Sequence, residues 1–344
     1  MLQRFSSMLY LATVGLTVSG AFGLQEDLER EENQGLGGTE FLSWSESDLS
    51  GRLMDGAHRF VERQIDESIE KRRSFWSHDF SSLDAYERSI KANRTRFGQI
   101  IGLVDPRVPA AMERIGTEDC PALISETPTY QVFQVRWPVL EGVVAEGLLV
   151  RPGKRPVARV VMIPDADQTP EQLLGLASGL PAELQLARRL AENDFELVIP
   201  ALVDRRRIET DDPRLQRSDQ THREWIYRQA FHMGRHVIGY EVQTVLAAVD
   251  WFERFDESKI GVAGYGEGGL IALYAAALDT RIDVALVSGY FDSRQTVWSE
   301  PIYRNVWGLL HEFGDAELAS LVAPRSLIIE YSPVPEVAGQ KGAL

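Results

Sequence analysis

Cysteine is nearly missing from this chain: Cys120 is the only one in 344 residues. That excludes an intrachain disulfide and any zinc site built from cysteines, and leaves a small packed hydrophobe as the expected role of Cys120. Positive charge is also short, with 36 Lys and Arg against 51 Asp and Glu for a formal net charge of −15. The arginines are interleaved with acids, which argues against a phosphate-backbone partner, so no nucleic acid is expected. After the N-terminal stretch no run is long and apolar enough to span a bilayer. Nothing in the composition calls for a cofactor or a metal.

What is present can fill a sizeable core. The chain is 44% apolar, and its length suits one large α/β domain with an extension. The first residues read as an export signal, residues 1–23. Arg4 lies in a short basic start, residues 8–18 are apolar, and Ser19-Gly20-Ala21-Phe22-Gly23 offers small residues for cleavage. The mature protein is then expected to start near Leu24, outside the cytoplasm, periplasmic or secreted, with an uncleaved membrane anchor as the alternative. Residues 24–50 form an acidic, glycine-rich linker. Residues 51–128 are expected to be a helical arm: one helix over 53–76, and a second capped near Ser82 and running towards Ile101. The Asn93-Arg94-Thr95 sequon is read as a chance occurrence.

Residues 129–344 carry the change of period that marks an α/β domain. Residues 130–137 and 143–150 around Glu141-Gly142 predict an antiparallel hairpin. Buried strands are expected over 157–163, 195–200, 260–263, 282–290 and 326–330, alternating with helices over 181–193, 237–252 and 270–278. Such alternation implies a mostly parallel sheet covered on both faces.

The stretch Ile260-Gly261-Val262-Ala263-Gly264-Tyr265-Gly266-Glu267-Gly268-Gly269 reads as strand, sharp turn and helix start. A nucleophile elbow has the form small-x-nucleophile-x-small, because the strained central residue leaves no room for bulk two positions away. Gly264 and Gly268 take the small positions, which places Gly266, with no side chain, where the nucleophile would be. Shifting the register makes Glu267 the nucleophile but puts Tyr265 at a small position. The same residues match a phosphate-cradling G-x-G-x-x-G through Gly264, Gly266 and Gly269, with Asp292 as the acidic residue after the next strand; a dinucleotide-binding protein is therefore a third reading.

With its hairpin, its alternating elements and this elbow, the part from about Tyr130 onward resembles the α/β-hydrolase superfamily, on the acetyl xylan esterase and dienelactone hydrolase side. Further residues carrying the resemblance are Ala247-Ala248-Val249-Asp250-Trp251, Asp279-Thr280-Arg281-Ile282-Asp283 and Ala323-Pro324-Arg325. The resemblance implies carboxylic ester hydrolysis, with a small-molecule or carbohydrate ester as ligand. It places a serine at position 266, an oxyanion-binding amide at Glu267, an acid after the last strand and a histidine beyond it. Glu336 is the better candidate acid and Glu330 the weaker.

No histidine follows that acid: His58, His78, His222, His232, His236 and His311 all precede it. The final strand, histidine loop and helix of such a domain have no room before Leu344, so the sequence is expected to be a piece of a longer protein. With two of three triad members missing, triad catalysis within this chain is not expected, since losing one already costs several orders of magnitude. A non-catalytic ligand-binding or interaction protein on the same fold is the alternative.

Other groups stay open at the level of sequence. His232 and His236 stand at i, i+4, with Glu241 or His222 as a third metal ligand; ordinary hydrogen-bonded histidines are the preferred reading. Asp165 and Asp167 follow a strand, where the resemblance puts a second oxyanion amide, and read equally well as a polar turn. Arg205, Arg206, Arg207, Arg214 and Arg217 could bind a carboxylate, but a solvated basic loop is preferred.

Overall fold

The computed structural model describes residues 48–208, 220–335 and 337. The chain divides into two compact units, Met1–Phe60 and Val61–Leu344. Of the first, only residues 48–60 are described, and from Leu49 they belong to helix α1, Leu49–Lys71. A short 3-10 turn, Arg72–Phe75, follows in the second unit.

Helix α2, Leu83–Ile100, starts where the serines predict: the Ser82 side chain accepts a hydrogen bond from the Ala85 amide. Its buried face is Tyr86, Ile90, Asn93 and Phe97, a helical repeat. Asn93 donates to the Phe75 carbonyl and to Glu312 Oε1, so it is a packing residue.

One sheet organises the rest. In chain order its strands are β1 Glu113–Arg114, β2 Leu123–Glu126, β3 Tyr130–Leu140, β4 Val143–Pro152, β5 Arg159–Ile163, β6 Glu196–Pro200, β7 Ile260–Tyr265, β8 Val284–Ser288 and β9 Ser326–Glu330. The order across the sheet is β1-β3-β4-β6-β5-β7-β8-β9, with β2 also on β3. Strands β3 and β4 pair antiparallel from Tyr130↔Pro152 to Leu140↔Val143. Glu141-Gly142 makes their turn, with Gly142 at φ +77°. From β6 through β9 all pairing is parallel.

The crossovers contain α3 Pro170–Leu173, α4 Leu186–Ala191, α5 His222–Phe231, α6 Val237–Phe252, α7 Glu267–Leu278, α8 Leu309–Glu312 and α9 Asp315–Val322. Every residue of β5 and β6 is buried, as expected of strands covered on both faces. One core cluster holds Phe97, Trp137, Val245, Ile271 and Phe313; a smaller one holds Val132, Leu148, Met162, Leu197 and Ala187.

The hairpin, the α6 helix and the strand at 326–330 lie where the sequence predicts them. Expected helix 181–193 is instead a 3-10 turn, Ala182–Leu184, and the short α4. Residues 282–290 give only five residues of strand. Helices α5 and α9 and the edge strands β1 and β2 carry no strong periodic signal. Cys120 is exposed, not packed.

Candidate active site

Residues 264–269 form the turn expected at the end of β7. Gly266 sits at φ +58°, ψ −117° as the cap of α7, a backbone conformation that side chains tolerate only under strain. A Cβ on Gly264 would lie 2.2 Å from the Gly268 backbone. One on Gly268 would lie 2.2 Å from the Ile163 carbonyl. Small residues at both positions therefore let the helix start pack down onto β5 and β7. The register with Glu267 at the apex is overturned: Glu267 is the first residue of α7 and is 0% exposed.

The space over Gly266 belongs to Asp165. A Cβ there would meet Asp165 Oδ1 at 2.5 Å and Pro335 Cγ at 2.5 Å. Asp165 Oδ1 also accepts the Glu267 amide at 2.8 Å. The amide expected to bind an oxyanion thus holds a carboxylate of the chain itself. Asp165 is not merely a turn residue, although its amide closes the turn on Gln168 Oε1 and its Oδ2 accepts the Asp167 amide. The strand end of β5, by placing Asp165 opposite the start of α7, produces this contact.

Beneath the turn lies a buried ionic cluster. Arg205 grips Asp165 through Nη1 to Oδ2, 2.5 Å, and Nη2 to Oδ1, 3.1 Å. It also donates to Asp167 at 2.9 Å, Glu267 at 3.0 Å and the Tyr303 hydroxyl at 2.8 Å. Arg223 makes a two-point bond to Glu241, 2.6 and 2.8 Å, and reaches Glu267 Oε1 at 3.3 Å. Arg304 donates Nε and Nη2 to Glu267 Oε2, 3.1 and 2.9 Å. The buried core of this cluster is balanced, three guanidiniums against Asp165, Glu267 and Glu241.

Burial opposes ionisation of Glu267, but Arg223, Arg304 and Arg205 outweigh it and hold its pKa down to about 2. Burial likewise disfavours the Asp165 anion, and Arg205 overcomes it, leaving that pKa below the usual carboxylate value. An acid so stabilised as its anion is a poor proton acceptor.

Arg205 corrects the reading of a solvated basic loop, for it is buried, while Arg206 remains exposed and pairs with Asp204. Arg214 and Arg217 lie outside the described residues, as does Glu336. Glu330 ends β9 with its carbonyl accepting the Gly289 amide. Beyond it, the Pro333 carbonyl accepts the Tyr265 hydroxyl at 2.9 Å.

His232 and His236 do not share a helix face: His232 ends α5 and His236 caps α6. Gly234, between them, is left-handed at φ +63°. Glu241 is taken by Arg223, and His222 pairs with Asp204 at 2.6 Å. Among the described residues no group of three or more His, Cys, Asp or Glu could hold a metal ion. The phosphate-cradle reading is opposed by the same geometry. Glu267 N is engaged by Asp165 and Gly266 N donates to the Ser288 carbonyl, so neither amide is free for a phosphate.

His236 Nδ1 accepts the Ile238 amide and Nε2 faces the Asn305 carbonyl at 3.2 Å, which requires a neutral ring protonated at Nε2. Burial lowers its pKa to about 4. A histidine depressed from 6.5 supplies stability above 6.5 that is lost as pH falls through 4, about 3 kcal/mol in all. Asp315 runs the other way: burial raises it to about 7, so its share is lost as pH rises. Denaturant melts of the protein and His236→Asn, compared between pH 7 and pH 4, isolate the histidine. The difference between the two proteins should shrink as pH falls; an unchanged difference would refute the assignment.

Arg223, Arg304 and Tyr303 escape sequence reasoning because their partners are remote, 44 residues away for Arg223 and 37 for Arg304 on Glu267; Glu241, considered there as a metal ligand, is instead the partner of Arg223. A charged residue directly after the elbow apex, in an otherwise apolar helix, is the one signal that a buried counter-charge was required.

Comparison with known proteins gives the following. The profile of the Dienelactone hydrolase family matches residues 145–297, which include the elbow. A Bacteroides fragilis protein with an acetyl xylan esterase assignment superposes with TM-score 0.59 at 16% identity, covering 79% of this chain and 74% of that one. A glucuronoyl esterase from Solibacter usitatus gives 0.49 at 14% identity over 75% and 78% of the two chains. An acetyl xylan esterase from Paenibacillus sp. R4 gives 0.47 at 14% over 79% and 94%. No curated protein matches. Among the described residues no helix is long and apolar enough to cross a membrane.

Proposed function

We propose that this chain, which is similar to the Dienelactone hydrolase family over residues 145–297 and shares its fold with the Bacteroides fragilis protein, is a non-catalytic member of an ester-hydrolase lineage that acts by binding. The observation that carries this reading is the Asp165 carboxylate on the Glu267 amide, 2.8 Å away, over a glycine at the nucleophile position. Ester hydrolysis in this fold needs a nucleophile at the apex and a free donor pair for the developing oxyanion. Here one donor is engaged by an anion that Arg205 holds in place. Replacing it with substrate would expose Arg205 to a neutral carbonyl, a poor exchange for a buried cation.

Purified protein on p-nitrophenyl acetate and on acetylated xylan should show no turnover above buffer. Turnover above buffer in proportion to protein concentration would instead restore ester hydrolysis as the function. The N-terminal segment adds the expectation of export: residues 1–23 as a cleaved signal and a linker ahead of α1; the helical arm expected to reach residue 128 ends with α2 at Ile100, since β1 and β2 already belong to the sheet. N-terminal sequencing of secreted protein starting near Leu24 would support that arrangement, and an intact Met1 would refute it.

A further inference from the structure

Helix α7 runs from the elbow at Glu267 to Leu278, and its far end, about 18 Å away, borders a second concavity. A cleft of about 870 Å³ lies there between α2, the segment that follows it and the end of α7, within the range of about 300–1,000 Å³ usual for small-molecule sites. Its floor is apolar, lined by Leu103, Leu246 and Leu278. Its charged lining is Arg88, Lys91, Arg94 and Arg107 against Glu87 and Asp279, four cations to two acids. On a chain with a formal net charge of −15, that local excess has the opposite sign.

Two of the four cations are tied into the fold. Arg94 donates Nε to the Ala277 carbonyl and Nη2 to the Leu321 carbonyl, both at 3.0 Å, and Nη2 also pairs with Glu87 at 3.1 Å. Arg107 grips Asp250 through Nε and Nη2, 2.7 and 3.2 Å. In each, Nη1 has no hydrogen bond among the described residues. The other two cations are open. Lys91 is exposed and makes no hydrogen bond or ion pair among the described residues. Arg88, also exposed, makes none there either, and feels the charge of Asp79.

We propose that this cleft binds an amphipathic organic anion, its apolar body on the three leucines and its carboxylate or sulfate head among the cations. Each half of that description follows from the lining. An inorganic ion would give up hydration against the leucine floor and bury no apolar surface in return. A cation of the same shape would be repelled by Lys91 and Arg88, and a neutral one would gain only the contacts of the floor. Arg94 and Arg107 are held by their own partners before any ligand arrives, which lowers the ordering cost of binding. The proposal concerns a site other than the elbow and stands whether or not the elbow is active.

The test is titration calorimetry with octanoate and octyl sulfate, beside octanol, octylammonium and inorganic phosphate. The two amphipathic anions should bind, and their affinity should fall as sodium chloride is raised. Octanol, octylammonium and phosphate should each bind at least about tenfold more weakly. Arg88→Ala combined with Lys91→Ala should weaken octanoate binding at least about tenfold, while Lys154→Ala, outside the cleft, should leave it unchanged. All three positions are exposed, so thermal melts should show both variants folded. Failure of both anions to bind at millimolar concentration, octanol binding as tightly as octanoate, or equal binding by the double variant would each overturn the proposal. Ester turnover on the same preparation reports separately on the elbow.

Discussion

Glu267→Gln should destabilise the protein by about 3–5 kcal/mol and lower its melting temperature by on the order of 10 °C. The substitution keeps the shape and removes one charge, yet that charge serves Arg205, Arg223 and Arg304 at once. All three guanidiniums are buried, so none can recover its lost partner in water. Each keeps another carboxylate, Asp165, Glu241 or Glu300, so one uncompensated positive charge in the buried cluster, and not the loss of three hydrogen bonds, sets the size of the effect. A surface comparison shows the contrast. Glu253 pairs with Arg281 but is 57% exposed, and Glu253→Gln should cost no more than about 1 kcal/mol.

The acid limb supplies an independent signature of the same group. With a folded pKa near 2, Glu267 contributes stability that is complete above its unfolded value and lost as pH falls from about 4.5 towards 2. The Gln variant should lose that part of the acid dependence. If Glu267→Gln melts within a degree of the parent at pH 7, the ionic cluster is not what holds α5 and the Ile302–Arg304 turn to the elbow.

The sequence made the sheet legible because its evidence is local. Two-residue and 3.6-residue periods, the Ser82 cap and the Glu141-Gly142 turn each act over a few residues, and the structure agrees with them. The elbow was legible for the same reason, since its glycines are required by contacts of β7 with the helix that follows it. The ionic cluster was not. Asp165 reaches the Glu267 amide across 102 residues of chain, and nothing near Arg223 in α5 distinguishes it from a solvated helix arginine. His232 and His236 show the opposite failure: their i, i+4 spacing is real, but a left-handed Gly234 ends one helix and lets the second begin. Cys120 was misjudged because it falls, exposed, between β1 and β2, short edge strands with no pattern of their own.

Gly266→Ser should fail to restore ester hydrolysis and should lower stability by about 1–3 kcal/mol. The serine Cβ would enter a left-handed position and meet Asp165 Oδ1 and Pro335 Cγ, both at 2.5 Å. To admit it, Asp165 must leave the Glu267 amide and loosen from Arg205, or the segment at Pro335 must move. Even then the hydroxyl would face a carboxylate whose proton affinity Arg205 has lowered, in place of a histidine able to take its proton. Members of a triad act as a unit, so returning one of them recovers little of the rate. Removing the obstruction as well, in Gly266→Ser with Asp165→Ala, leaves Arg205 facing only Glu267 and Asp167; that protein should be less stable still and equally inactive. Release of p-nitrophenol by either variant above the buffer rate, in proportion to enzyme concentration, would show that the cleft still holds a working base and that only the serine had been lost.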